Sequence, residues 1–239
     1  MKIINVIMFV VMIAMNYLAN ALPLNNRTTG EISEQYSNLF VPAGITFSIW
    51  GVIYIMLLVF CIIQFLSQNK ALVEAVGWAF AISCFMNALW IVAWHYDKLP
   101  LSLIIMIGLL ATLVYINFQL KGEPAGLTKA AFGIYLGWIC IATIANVTAL
   151  LVKYNWGGWG IPEVSWTIIM IFAGLAITAV TLYRLNNPFI GLAVIWAFAG
   201  IVIKRMGDTT PAIAIVAASA ALIMAALTVW MFIKRTNLA

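Results

Sequence analysis

An all-α integral membrane protein is the fold class this sequence predicts, and three observations predict it. Hydrophobic residues make up 65% of the chain and charged ones only 8%, which leaves too little polar surface to keep a soluble domain dispersed. Eight stretches are apolar and almost free of charge, each about 15–25 residues long, the length a helix needs to cross lipid. The short polar breaks between them hold nearly all of the twelve Lys and Arg. In lipid every segment must satisfy its own backbone hydrogen bonds, so helices follow, and the alternating pattern of a membrane β-barrel is absent.

The spans run over 3–22, 43–66, 72–95, 100–120, 130–152, 164–183, 188–203 and 211–233. The first begins after Lys2 and closes on Ala19-Asn20-Ala21, which also resembles a signal-peptide cleavage site. Its apolar run continues to Leu22 and carries Asn16 and Asn20 four residues apart, so it is read as a retained first helix. The longest polar connection, from about Leu24 to Val41, is loop-sized, and no room remains for a soluble domain. The seventh span is short: Pro188 and Lys204 bracket only fifteen apolar residues, roughly 22 Å of helix, so a thinned or re-entrant crossing is an alternative there.

Charge sets orientation rather than partners. The net charge of +5 comes from basic residues scattered singly at helix ends, where they suit lipid headgroups and do not suggest nucleic acid. With the N-terminus inside, the inner set is Lys2, Lys70, Lys121, Lys129, Arg184, Lys234 and Arg235, against Arg27, Lys98, Lys153, Lys204 and Arg205 outside. Seven against five favours both termini in the cytoplasm of a cell with a multi-pass plasma-membrane protein. Cys61, Cys84 and Cys140 lie inside spans without CxxC spacing and read as small packing residues. His95, the single histidine, reads as an interfacial polar residue beside Tyr96 and Asp97.

Amides are costly in hydrocarbon unless partnered, so their positions are informative. Asn16 and Asn20 fall in span one, Gln64 late in span two, Asn87 in span three, Asn117 and Gln119 late in span four, and Asn146 in span five. The interiors of spans six to eight carry only Ser and Thr. A polar-lined cavity is therefore expected within the first five helices, with the last three packing or facing lipid. Trp50 and Tyr54 share a face of span two, Asn87 and Trp90 a face of span three continued by Trp94, and Tyr135, Trp138, Ala142 and Asn146 a face of span five. Trp94, Trp156, Trp159, Trp166 and Trp230 lie near span ends and fit an interfacial belt. The pattern alone leaves a ligand pocket and plain helix packing both open.

Three of these segments carry a resemblance. The stretch Pro42-Ala43-Gly44-Ile45-Thr46-Phe47-Ser48-Ile49-Trp50-Gly51-Val52-Ile53-Tyr54 resembles the second-helix signature of the tryptophan-rich sensory protein / translocator protein (TspO/MBR) family. Phe85-Met86-Asn87-Ala88-Leu89-Trp90 is similar to that family's third-helix region, and Tyr135-Leu136-Gly137-Trp138 with Ala142 and Asn146 to its fifth-helix pattern. The resemblance covers residues 1–155, a five-helix TspO-like transmembrane unit, and leaves 156–239 as an extension of about three further helices, as in a longer bacterial-type variant. It implies a pocket beneath the 24–41 loop, bordered by Trp50, Tyr54, Asn87, Trp90, Tyr135, Trp138, Ala142 and Asn146. It also implies a planar hydrophobic ligand such as a porphyrin or other tetrapyrrole, with no required cofactor. The expected partners are the lipid bilayer and that small molecule, with a homodimer admitted.

Departures from the family pattern bear on the ligand. Pro42 is followed by Ala43 and Gly44 where paired prolines and a tryptophan are usual, and Ile134 replaces a proline before Tyr135. Tyr154 has no basic residue within five positions, so the sterol-associated pattern is absent. Other function classes remain in view. Some relatives are thought to degrade porphyrin in light, but no acid–base pair, nucleophile or metal site lies in the spans. A secondary transporter would show inverted repeats and intramembrane charge, neither of which is evident. A structural or lipid-interacting role would suit the polar-poor final spans.

Overall fold

A computed structural model describes residues 1–21, 24–66, 70–207 and 211–236. It contains ten α-helices among these residues: α1 Lys2–Asn20, α2 Thr29–Gln35, α3 Ile49–Ile63, α4 Lys70–Val76, α5 Ala79–His95, α6 Leu99–Gln119, α7 Leu127–Lys153, α8 Glu163–Arg184, α9 Phe189–Arg205 and α10 Ala212–Thr236. The protein is an all-α integral membrane protein. Six of the described helices are long and apolar enough to cross a bilayer. The other two crossings, α5 and α9, have 17 residues each, about 26 Å of helix.

Helix ends alternate from one side of the bundle to the other. At one end Asn5 of α1 meets Gln64 after α3, Phe60 of α3 packs on Phe80 and Phe132 near the starts of α5 and α7, and Asn187 before α9 reaches Asn117 late in α6. Phe189 at the start of α9 packs on Phe232 near the end of α10. The ends of α5, α7 and α9 and the starts of α3 and α8 gather at the opposite end, beneath the segment 24–41. Eight helices therefore traverse the described bundle, with the start of α1 and the end of α10 on the same side.

The expected third span is divided. Within 72–95 the helix stops at Val76, Gly77 turns with φ +55°, and α5 starts afresh at Ala79. The Gly77 N–H closes the first piece on the Val73 carbonyl at 2.9 Å, a turn that a left-handed glycine makes without a Cβ clash. Span two is likewise shorter as α-helix, because residues Gly44–Ser48 form a 3-10 turn leading into α3. His95, at the end of α5, is buried, its Nδ1 2.8 Å from the Ile91 carbonyl. The seventh span is continuous helix.

α7 is the central helix, with 56% of its most apolar window buried against 22–33% for the other five long helices. Small residues explain how its neighbours come so close. A Cβ on Gly137 would strike the Ile190 carbonyl of α9, and one on Gly133 would strike the Asn187 amide. In α9 a Cβ on Gly191 or Gly200 would meet Thr228 or Thr46. Lipid tails are as apolar as the helices, so association rests on such close packing and on interhelical hydrogen bonds. The sequence places α9 among packing or lipid-facing helices; it is packed at the centre, against α7, α10 and the 3-10 turn. Its Trp196 indole donates to the Thr46 carbonyl at 2.8 Å, and its Gly200 carbonyl accepts from the Ala43 N–H at 3.0 Å.

A tryptophan-lined cavity under the lid

A cavity lies between α3, α5 and α7 beneath the segment 24–41. Phe47 and Trp50 form one wall, Trp90 and Trp94 of α5 another, and Trp138, Ala142, Ala145 and Asn146 of α7 the floor. Thr29, Ser33, Val41 and Pro42 close it from above. The aromatic rings continue outward from both walls. Trp50 stacks on Tyr54 with ring centres 5.6 Å apart and meets Trp138 edge-on at 6.2 Å, while Phe47 meets Trp138 at 5.9 Å. Trp90 stacks on Trp94 at 5.6 Å, and Tyr36 of the lid meets Trp94 edge-on.

Of the eight residues expected to border a pocket, five line this cavity: Trp50, Trp90, Trp138, Ala142 and Asn146. The other three stand behind it. Tyr135 is fully buried and its hydroxyl accepts from Asn87 Nδ2 at 2.9 Å, while Asn87 Oδ1 accepts from Asn16 Nδ2 at 2.7 Å. Asn87 is thus the hub of a polar chain joining α1, α5 and α7, placed below the aromatic walls. Tyr54 lies behind Trp50 and borders a lipid-side groove with Phe9, Ile13 and Tyr17 of α1. Helix α1 contributes no lining residue, although the sequence places the cavity within the first five helices as a group. Asn146 is shared: it lines the cavity and exchanges hydrogen bonds with Ser102 of α6 at 3.1–3.2 Å.

Trp94 is the largest lining residue that sequence reasoning set aside. Its place near a span end fits an interfacial belt, yet it is buried because the lid covers it. Its indole donates to the Thr29 carbonyl at 3.4 Å. The signal was present in the four-residue step from Trp90. The lid contains a short helix, α2, opened by a capping box in which Thr28 and Glu31 bind each other's backbone N–H. That T-x-x-E signature placed Thr29 and Ser33 over the cavity.

The lid is held at two points. Its first half is tied to the α5–α6 turn, where Arg27 Nη2 pairs with Asp97 Oδ2 at 2.7 Å and the Tyr36 hydroxyl donates to Asp97 Oδ1 at 2.9 Å. Lys153 donates to the Asp97 carbonyl, and Asn25 to the His95 carbonyl at 3.0 Å. Burial raises the Asp97 pKa, but the hydrogen bonds from Arg27 and Tyr36 and the charges of Arg27 and Lys153 outweigh it, so the carboxyl sits below its usual value. Burial, and then the hydrogen bond to Asp97 and its charge, push the Tyr36 phenol up to about 12. The second half is tied to α8 and α9: Glu163 Oε1 accepts from the Leu39 N–H at 3.1 Å, and Arg205 donates to the Asn38 carbonyl at 2.9 Å and the Leu39 carbonyl at 3.2 Å.

The chemistry available in the cavity is stacking and donation. Trp90 Nε1, Trp138 Nε1 and Thr29 Oγ1 are buried without a hydrogen-bond partner among the described residues, and all three belong to lining side chains. An unmade bond at a buried donor costs about 1–3 kcal/mol, which an acceptor brought by a ligand would offset. No group of three or more His, Cys, Asp and Glu that could hold a metal occurs among the described residues. The sequence model of one family, described as TSPO-like protein, matches residues 2–230, through α8, α9 and most of α10 as well as the first five crossings. No curated protein and no solved structure matches the chain.

Proposed function

The chain belongs to the TSPO-like protein family, and from that premise we propose that the cavity under the lid binds a planar hydrophobic ligand of the porphyrin or tetrapyrrole class. The observation that carries this reading is the pair of buried indole N–H groups of Trp90, on a wall, and Trp138, on the floor, neither with a hydrogen-bond partner among the described residues. Aromatic faces suit a flat macrocycle, and the N–H groups suit acceptors on its edge.

Size adds a condition. The cavity leaves about 50 Å³ for the centres of water-sized groups, whereas pockets for drug-sized ligands run to about 300–1,000 Å³. A macrocycle therefore enters only when the lid moves. The lid's ties are those of a part that can move: one partly exposed ion pair and a few hydrogen bonds at the bundle's end. Such binding would serve a sensor, or a carrier that releases its ligand through the lid. On this reading the ends of α1 and α10 opposite the lid lie in the cytoplasm, as the basic residues suggest.

The same size supports one competing reading, a packing void in a structural membrane protein. Titrating the purified full chain with protoporphyrin IX separates the two. Binding predicts saturable quenching of tryptophan fluorescence at micromolar porphyrin, weakened by Trp138→Phe and Trp90→Phe. Absence of quenching in the wild type sinks the ligand reading and leaves the void.

A further inference from the structure

A second cavity, of about 380 Å³, opens between the end of α7 and the start of α8, where the fifth crossing meets the sixth. Its upper rim holds Trp156, Trp166, Asn155 and the Glu163 carboxylate, and Leu151 and Met170 lie along its deeper wall. Met170 is seven residues into α8 from Glu163, so the cavity runs about 10 Å inward from the rim. The deeper Thr148 and Thr167 hydroxyls are spent on carbonyls of their own helices, so a polar rim over a mainly apolar depth matches an amphiphile rather than a soluble solute.

The rim also selects a charge. Trp156 and Trp166 have ring centres 5.0 Å apart with planes at 58°, so the two indoles form an angled aromatic corner, braced from behind by Trp159. Trp166 is locked in place by its indole N–H, which donates to the Gly158 carbonyl at 2.8 Å. Glu163 makes no ion pair among the described residues: its neighbour Arg205 is engaged by the Asn38 and Leu39 carbonyls, and no Lys or Arg lines the cavity. One carboxylate beside indole faces, with no cation among the residues lining the cavity and the nearby Arg205 held by lid carbonyls, is the combination that attracts an alkylammonium group. We infer that this cavity is a binding site for a phospholipid with a quaternary ammonium headgroup, the ammonium lying between Glu163 and the Trp156–Trp166 corner and an acyl chain descending past Leu151 and Met170. Because Asn38 and Phe40 line the same cavity and Glu163 holds Leu39, the lipid would sit against the lid's second attachment.

The test is competition between phosphatidylcholine and phosphatidylglycerol of identical chains on the purified full-length protein, with retained lipid counted by native mass spectrometry. The net charge of +5 favours the anionic lipid by general attraction, so retention of one phosphatidylcholine against that bias is a demanding outcome. Glu163→Gln keeps an acceptor for the Leu39 N–H while removing the charge, and Trp156→Leu removes one indole face. Glu34→Gln, at an exposed lid position, controls for overall charge. We expect one tightly retained phosphatidylcholine in the wild type and in Glu34→Gln, with its retention lowered about fivefold in Glu163→Gln and in Trp156→Leu. No preferential retention in the wild type overturns the proposal. So does retention that survives both cavity variants, or that falls equally in Glu34→Gln.

Discussion

Two clusters of buried polar groups, one at each end of the bundle, are bonded differently. Away from the lid, Asn117, Lys129 and Asn187 are tied together and to nearby backbone. Asn187 Nδ2 donates to Asn117 Oδ1 at 2.7 Å and to the Lys129 carbonyl at 2.9 Å, and its Oδ1 accepts from the Phe189 N–H at 3.1 Å. Asn117 Nδ2 reaches the Leu113 and Phe132 carbonyls, and Lys129 Nζ the Lys121 and Glu123 carbonyls. Beneath the lid, two indole donors and a threonine hydroxyl line the same cavity without partners among the described residues. A satisfied network fixes how helices dock, and a half-satisfied one is a liability for stability alone. On the proposed reading, the first cluster is architectural and the second serves recognition.

The largest effect should come from the architectural end. Gly137→Val would force a side chain into the Ile190 backbone carbonyl, where overpacking costs about 1–3 kcal/mol or more because backbone cannot rotate away. We expect loss of the folded, detergent-stable form, read by size-exclusion profile and thermal denaturation. Asn187→Ala strands the Asn117 carbonyl oxygen and should destabilise by about 1–3 kcal/mol, while porphyrin affinity of the protein that remains folded stays unchanged.

The recognition end should give the reverse pattern. Trp138→Phe removes an unpartnered donor and keeps an aromatic ring, so stability should change by less than about 0.5 kcal/mol. Its porphyrin affinity should fall by about 0.5–1.5 kcal/mol. Equal losses of stability in Trp138→Phe and Asn187→Ala would erase the distinction between the ends.

The smallest effect concerns the lid. Asp97 titrates lower in the folded protein than in the unfolded chain, so its clasp is complete above the unfolded value and is lost as pH falls through the folded one. Hydrogen exchange of the 24–41 amides should be flat from neutral pH to about 5 after correction for intrinsic rates, and Asp97→Asn should speed it at neutral pH by no more than about 1 kcal/mol.

How far the sequence carried this picture depends on what each residue must meet. The crossings were legible because charge is excluded from lipid and marks helix ends directly. The break at Gly77 was not, since Val76 and Trp78 keep the stretch apolar whatever the backbone does. Helical spacing placed Trp50, Trp90 and Trp138 on faces that share the cavity. It could not tell that Asn87 would be consumed by Asn16 and Tyr135, because one helix's periodicity says nothing of what stands opposite. Trp94 was misplaced for a related reason: distance along a helix resembles distance from the interface only where nothing folds over it. The family match across residues 2–230 likewise reaches past the residues whose motifs carried the resemblance.

The most direct test follows the indole protons themselves. With the full chain labelled at tryptophan 15N, Nε1–H resonances can be assigned by single Trp→Phe changes and followed during a protoporphyrin IX titration. Saturable shifts are expected of Trp90 and Trp138, whose donors lack partners among the described residues, with stationary signals from the exposed Trp78 and Trp230. Signals of Trp90 and Trp138 that hold still, or that move no more than those of Trp78 and Trp230, would contradict the ligand reading.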